Sequence, residues 1–523
     1  MPLGTMVLRP LQNAALTHCR DAEGGVLLLG CGVGKTLISL LVGRVLNAHR
    51  AILLVPASLR EKTRRDIEEY KKHWHIDVPI ILSYEKLSRP SGLKILKESA
   101  PDLIICDEAH HLKSVESTRT LRLGKFLEDS SLCRLVVMSG TLFNTSVQDF
   151  AHLSSWALGS NSPVPDNFRD VDLFDAVLRD EANRHQHTQF SPLLKWGDTP
   201  SEALYERLRS CRGVLLTTNE GELPSLQIRL RKLKIPDNLQ QAINACFADG
   251  LMEEVLDQLG VDFDADAISA SQHLWDKADN FALRAYGQML TGLLYFWQWP
   301  ENIPDHDWLF SRKAWRYAVR CILQMGIDDF DSPFLIESGF HQLPVDIQNT
   351  FMNSFLGWQE EKTKQVPPRT SVWISDYMVE DIHTWARSQG EHPYIVWVDL
   401  VDVGERIGEV LSIPYYRGKM PLPTEPEPCV MSISSHGVGK NLQAWSRNLI
   451  VSPIADPARW EQMLARTHRL GQVEDVVTFT VYSHSVFGRC LTKARQQAET
   501  VSEITGQPQR LVYADIIKEH SYG

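Results

Sequence analysis

Val26-Leu-Leu-Leu-Gly-Cys-Gly-Val-Gly-Lys-Thr36 decides the fold of this chain. A short apolar run enters a glycine-rich turn, and an apolar helix follows over residues 36–46. Glycines let backbone N–H groups turn inward around phosphates. In such a cradle Gly32, Val33 and Gly34 supply backbone, Lys35 reaches the β- and γ-phosphates of ATP, and the Thr36 hydroxyl ligates Mg²⁺. The general pattern has a further glycine where Leu29 stands. Strand, loop and helix in this order belong to a parallel sheet, with the loop at the carboxyl end of its strand.

Working outward, continuous apolar runs recur at residues 51–55, 80–83, 103–106 and 135–138, with helical patterns between them. Such runs indicate strands buried on both faces of a parallel sheet. From about residue 151 to 368 the pattern turns helical, notably over 283–299 and 308–325, apart from a strand-like run at 226–235. The α/β rhythm returns from Ser371, with candidate strands at 394–398, 429–433, 449–451 and 476–482. The reading is an α/β protein of two parallel-sheet lobes with a largely helical insertion between them. The expected boundaries are 1–235, 236–370 and 371–500, with a helical tail over 501–523.

The bulk composition narrows the function class. The 523 residues suffice for two to four domains. No apolar run reaches the roughly 18–20 residues that cross a bilayer, so no membrane association is expected. Nine cysteines without a Cys-x-x-Cys pair give no disulfide framework or zinc ribbon, and an intracellular setting fits. A net charge of −11 argues against coating nucleic acid by bulk charge, while leaving room for a local basic groove.

Three further cassettes carry chemistry. Asp107-Glu-Ala-His110 follows an apolar strand. Asp107 would hold Mg²⁺ through water, and Glu108 would orient the attacking water, because phosphoryl transfer asks mainly for positioning and charge neutralisation. His110 is assigned to coupling between lobes. Ser139-Gly140-Thr141 follows the next strand, where hydroxyls can switch hydrogen bonds between the nucleotide site and a facing lobe. Far downstream, Gln462-Met-Leu-Ala-Arg-Thr-His-Arg-Leu-Gly-Gln472 holds Arg466 and Arg469, three apart and so on one face of a helix. Their planar, permanently charged forks suit a γ-phosphate. Gln462 and Gln472 flank them and are read as coupling residues.

Taken in order, these segments resemble the Swi/Snf family of helicase-like double-stranded-DNA translocases in superfamily two. Arg466-Thr-His-Arg-Leu-Gly-Gln472 is close to that family's Arg-x-His-Arg-Ile-Gly-Gln. His436-Gly-Val-Gly-Lys-Asn-Leu442 and Leu103-Ile-Ile-Cys-Asp-Glu-Ala-His-His-Leu-Lys113 are similar to two more of its segments, and Leu8-Arg-Pro-Leu-Gln12 to its opening motif. The family usually has Gly-Thr-Pro where Gly140-Thr-Leu142 stands, and Trp-Asn-Pro where Asp456-Pro457 stands.

The resemblance implies two RecA-like lobes facing each other across an ATP cleft, with Gln12 against the adenine. It implies phosphate-gripping segments near Ser58, Tyr84, Gly437 and Asn441, and stepping along duplex DNA without strand separation. The expected partner is double-stranded DNA held without sequence specificity, since phosphate contacts position but do not specify, with a DNA-bound protein target or a recruiting partner as a further expectation. A strand-separating helicase on RNA or single-stranded DNA is one rival. A remodelling subunit that hydrolyses ATP only with a partner is another. The basic residues between Arg60 and Lys72 alternate with acidic ones and read either as a DNA-facing patch or as a solvated helix face. Trp308 and Trp315 read as packing residues.

Overall fold

The computed structural model describes residues 4–30, 33–130, 132–141, 146–179, 195–197, 199–217, 223–248, 287, 289–297, 305–325, 327, 330, 333–364, 369–418, 420–423, 425–436, 441–469 and 471–518. The first lobe is a six-stranded parallel sheet built from β1 (Gly25–Leu28), β2 (Ala51–Val55), β3 (Ile80–Ser83), β4 (Leu103–Asp107), β5 (Arg134–Ser139) and β6 (Val214–Leu216). Its strand order is β3-β2-β4-β5-β1-β6. Because side chains alternate along a strand, each run feeds two cores. Val26, Leu28, Ile52, Leu54, Ile104, Cys106, Leu135 and Val137 face one. Leu27, Leu53, Val55, Leu103, Ile105, Val136 and Met138 face the other.

Helices α1 (Pro10–Ala22) and α2 (Lys35–Val45) lie over the second face, and α2 inserts Leu37, Ile38, Leu41 and Val42 there. Helix α3 (Arg60–Tyr70) carries the solvated charges, with Arg64 paired to Glu61 at 2.5 Å. Helix α4 (Pro200–Ser210) starts at a Thr199 cap and packs on the first face.

The second lobe is a seven-stranded parallel sheet. Its strands are β7 (Ser225–Arg231), β10 (Tyr394–Val398), β11 (Tyr415–Tyr416), β12 (Cys429–Ser432), β13 (Arg447–Ile450), β14 (Val476–Tyr482) and β15 (Asp515–Lys518), in the order β11-β12-β10-β13-β14-β7-β15. The same alternation splits Tyr394, Val396 and Val398 from Ile395 and Trp397.

This arrangement corrects the boundary at residue 235. All seven residues of β7 register with Val476–Tyr482, so the chain leaves the first lobe between β6 and β7. An amphipathic strand does not say which sheet will take it. The tail is corrected as well. After the last long helix it forms one short helix and then β15, paired with β7, rather than a helical terminus.

Between the lobes, β8 (Leu293–Trp297) pairs antiparallel with β9 (Arg369–Trp373). The expected helix over 283–299 therefore contains a strand, as the Leu-Leu-Tyr-Phe-Trp run favours. Helices α5 (His306–Gln324) and α6 (Val345–Glu361) close on a separate core. Trp315 is buried there beside Phe340 and Phe355, whose rings stack at 4.1 Å. Trp308 is also buried, so both tryptophans pack rather than present a stacking surface. Helices α7 (Pro457–Thr467), α8 (Ser485–Thr505) and α9 (Arg510–Tyr513) complete the second lobe and its tail. Among the described residues no helix is long and apolar enough to cross a membrane.

Candidate active site

Sheet order concentrates the cassettes. Strands β4, β5 and β1 are neighbours, and their register pairs Asp107 with Met138 and Leu28 with Ser139. Three parallel strands therefore end at one level, and the glycine loop, Asp107-Glu108 and Ser139-Gly140-Thr141 leave from the same edge.

The described part of the loop has the geometry of a cradle. Gly34 stands at φ 88° as the N-cap of α2, a left-handed conformation that disfavours any Cβ. A Cβ there would also sit 2.3 Å from Gln12 Nε2. Gln12 lies against the loop, donating to the Val33 carbonyl at 3.4 Å while its Oε1 accepts from the Arg9 amide. Lys35 Nζ bonds the carbonyls of Leu29 and Gly30 at 3.2 and 3.5 Å and stands 3.7 Å from Glu108 Oε1. A triphosphate offers that ammonium stronger, charge-assisted acceptors. Gly140 closes the cradle from β5, where a Cβ would lie 2.9 Å from the Leu29 carbonyl. Gly32 lies outside the described residues.

The two carboxylates are tuned apart. Burial and the adjacent Glu108 charge push Asp107 above the usual carboxylate range, against the pull of Lys35. Burial also opposes ionisation of Glu108, but Lys35, His110 and Arg466 outweigh it and hold that carboxyl well below its ordinary value. A carboxylate held ionised in this way is an acceptor for hydrogen bonds at the sheet edge. Glu108 also sits at φ 55°, a strained position for a non-glycine residue of the kind that clusters at functional sites. The Asp107 carboxylate and the Thr36 hydroxyl are hard oxygen donors that fit Mg²⁺. When bound, the ion would neutralise charge on the β- and γ-phosphates.

From Glu108 a chain of polar contacts leads out of the site. His110 Nδ1 lies 3.4 Å from Glu108 Oε2, 3.2 Å from Ser139 Oγ and 3.4 Å from Thr141 Oγ1. Across the cleft, Gln462 Nε2 donates to Thr141 Oγ1 at 3.0 Å, a bond between the two lobes.

Helix α7 delivers that contact. It starts at Asp456, whose carboxylate accepts from the Ala458 and Arg459 amides, with Pro457 in the first turn. Arg459 is held by Asp399 at the end of β10. Arg466 is buried near the helix end, its Nε bonded to the Gln462 carbonyl at 2.8 Å, and its charge is felt at Glu108. Arg469 does not share that helical face, because α7 ends at Thr467. It stands half-buried in the turn beyond.

Two assignments are redirected. Gln472 does not reach the other lobe. Its amide nitrogen donates to the Trp445 and Thr467 carbonyls, and its oxygen accepts from Val473 and Glu474, all within the second lobe. Tyr84 is wholly buried, its hydroxyl donating to the Asp107 carbonyl at 2.8 Å and its ring stacked on His111. It braces the Asp107 strand end rather than meeting a nucleic acid. Ser58 and Asn441 are exposed, and the Leu442 amide beside Asn441 donates to the Arg466 carbonyl. Gly437 lies outside the described residues. Thr217, unmarked by the sequence because β6 is only three residues long, donates its amide to the Leu28 carbonyl and accepts the Gly30 amide on its hydroxyl at 3.2 Å.

Residues 5–144 match the family described as type III restriction enzyme, res subunit, a superfamily-two helicase-like ATPase family. The match spans the glycine loop, Asp107-Glu108 and Ser139-Gly140-Thr141, so the likeness covers the cassettes gathered at this sheet edge. No curated protein is matched by the chain.

Gly34→Ala tests the cradle. It adds about 1–2 kcal/mol of left-handed strain and drives a methyl into Gln12. The variant is expected to lose the rise in melting temperature that Mg-ATP gives the wild type. An undiminished rise would remove the loop from the nucleotide site.

Proposed function

We propose that the chain is an ATP-driven motor that tracks along duplex DNA and displaces what is bound there, without separating the strands. The observation that carries the motor reading is the polar path from Glu108 through His110, Ser139 and Thr141 to Gln462 of the opposite lobe. A group that senses the γ-phosphate is thereby linked to the other body, the ordinary arrangement of a nucleotide switch. In this reading Lys35, Thr36, Asp107 and Glu108 hold and orient the triphosphate from one lobe, and Arg466 and Arg469 stabilise its developing charge from the other.

The choice of duplex rests on the likeness of Arg466-Thr-His-Arg-Leu-Gly-Gln472 and the other ordered segments to the Swi/Snf pattern. The exposed Ser58 and Asn441 are the described residues assigned to the backbone track. Contacts of that kind carry no base information, so binding should be insensitive to sequence and weaken steeply with salt.

The test is steady-state ATP turnover on matched duplex DNA, single-stranded DNA and RNA, with Lys35→Ala as the blank. Duplex is expected to stimulate turnover by about tenfold or more, as the term in which a translocase differs from an idle ATPase. A duplex-stimulated enzyme should also displace a triplex-forming strand. Stimulation mainly by single strands or RNA would transfer the assignment to a strand-separating helicase.

A further inference from the structure

Helix α8 begins in the core of the second lobe and ends in that of the first. Phe487 and Cys490 join one core of the second lobe and Leu491 and Ala494 the other, whereas Val501 and Ile504 belong to the first-lobe cluster. Twenty-one residues of helix span roughly 30 Å, enough to bridge the lobes. Gly506, at φ 64°, then stops the helix against Tyr205 of α4 and turns the chain back toward the cleft.

The stretch that follows is polar and buried. Gln507, Gln509 and Arg510 are 5%, 4% and 1% exposed. Groups of this kind cost stability unless each finds a partner. Gln509 donates to the Gln507 carbonyl within the tail, whereas Gln507 and Arg510 find theirs in the two halves of the ATP site. Gln507 Nε2 donates to the carbonyl of Leu28, the last residue of β1 before the phosphate loop. Three residues later Arg510 reaches the arginine-bearing segment. Its Nη1 pairs with Glu461 Oε1, its amide donates to Glu461 Oε2 at 2.8 Å, and its Nε donates to Nδ1 and the carbonyl of His468 at 3.2 and 3.3 Å. Glu461 precedes Arg466 on α7, and His468 stands between Arg466 and Arg469. His468 is fixed from its other nitrogen by the Pro224 carbonyl at 2.8 Å.

We infer that Arg510 is a positioning residue for the arginine pair, and that Gln507 ties this support to the strand carrying the phosphate loop. The tail is then a third element of the active site, an assignment that rests on the ATPase reading. Because α7 ends at Thr467, helical hydrogen bonding does not place Arg469. The turn through His468 places it, and Arg510 grips that turn on one side and the helix on the other. Only a planar fork does both at once, one nitrogen to a carboxylate and another to an imidazole. A lysine can keep the pairing with Glu461 and lose the bonds to His468.

The test compares Arg510→Lys, Gln507→Met and the charge-free pair Glu461→Met/Arg510→Met with the full-length wild type. Removing Arg510 alone would leave Glu461 buried without its partner, whereas an apolar pair of similar volume keeps such a core folded. Unfolding midpoints are read beside ATP kcat and KM. The expected result is a fall in kcat on the order of 100-fold for Arg510→Lys and for the apolar pair, the scale of a 1 Å misplacement. KM and the midpoints should stay near wild type. Gln507→Met should show a smaller kcat loss of the same kind. Wild-type kcat in folded Arg510→Lys and the folded apolar pair, or losses that only follow the midpoints, would overturn the assignment while leaving the ATPase reading intact. A wild type no faster than Lys35→Ala would overturn both.

Discussion

Glu108→Gln is expected to lower kcat for ATP hydrolysis by a factor on the order of 10²–10³, the range for losing one preorganised charge aimed at a reacting centre. ATP affinity should be unchanged or tighter. The substitution keeps the volume and the hydrogen-bonding reach of the side chain, so the β4 edge and its φ of 55° are not disturbed by size. What changes is charge. Glu108 is held ionised by Lys35 at 3.7 Å and by Arg466 from across the cleft, and a neutral amide cannot polarise a water between those cations. Removing a negative group beside a bound triphosphate also relieves repulsion, which is why affinity should not fall. Steady-state turnover alongside equilibrium binding of a fluorescent ATP analogue separates the two effects. Weakened binding with kcat retained would make Glu108 a binding group and return the water-orienting role to another residue.

The sequence showed most of what lies within one strand and its following loop. The glycine loop, Asp107-Glu108 and Ser139-Gly140-Thr141 were readable because each is a local pattern at a strand end, and the parallel sheet then gathers such ends at one edge. What was not readable depends on partners far away in the chain. Nothing in Ser225–Arg231 announces that its mates are Val476–Tyr482 and Asp515–Lys518. The resemblance puts Tyr84 in a phosphate-gripping segment, yet packing turns its side chain inward onto the Asp107 carbonyl. Gln472 resembled a cross-cleft contact until the Trp445 and Thr467 carbonyls were seen to take its donors. Gln507 is 479 residues from Leu28, and no periodicity reports a pairing at that distance.

The loss of Arg466 should be the largest effect on turnover. A cation supplied to the γ-phosphate from a second body accounts for roughly 10³–10⁵ in kcat in phosphoryl transfer, so Arg466→Met should fall by at least about 10³-fold. Methionine is the informative replacement because it retains an unbranched apolar stem, and much of a buried arginine's packing comes from its stem. Arg466 is 7% exposed on the last turn of α7, beside the Gln462–Thr141 bond that joins the lobes. Its charge is among those that hold Glu108 ionised without nucleotide, and its burial keeps the side chain from solvent. Arg466→Lys should rescue little, since a point charge cannot reproduce a bidentate planar donor. Arg469, in the turn past the helix end, should matter less than Arg466 when replaced in the same way. A folded Arg466→Met enzyme with kcat within about tenfold of wild type would fall far short of the cost of losing a phosphate-facing cation. It would make Arg466 a structural cation of the lobe interface and pass the role to Arg469.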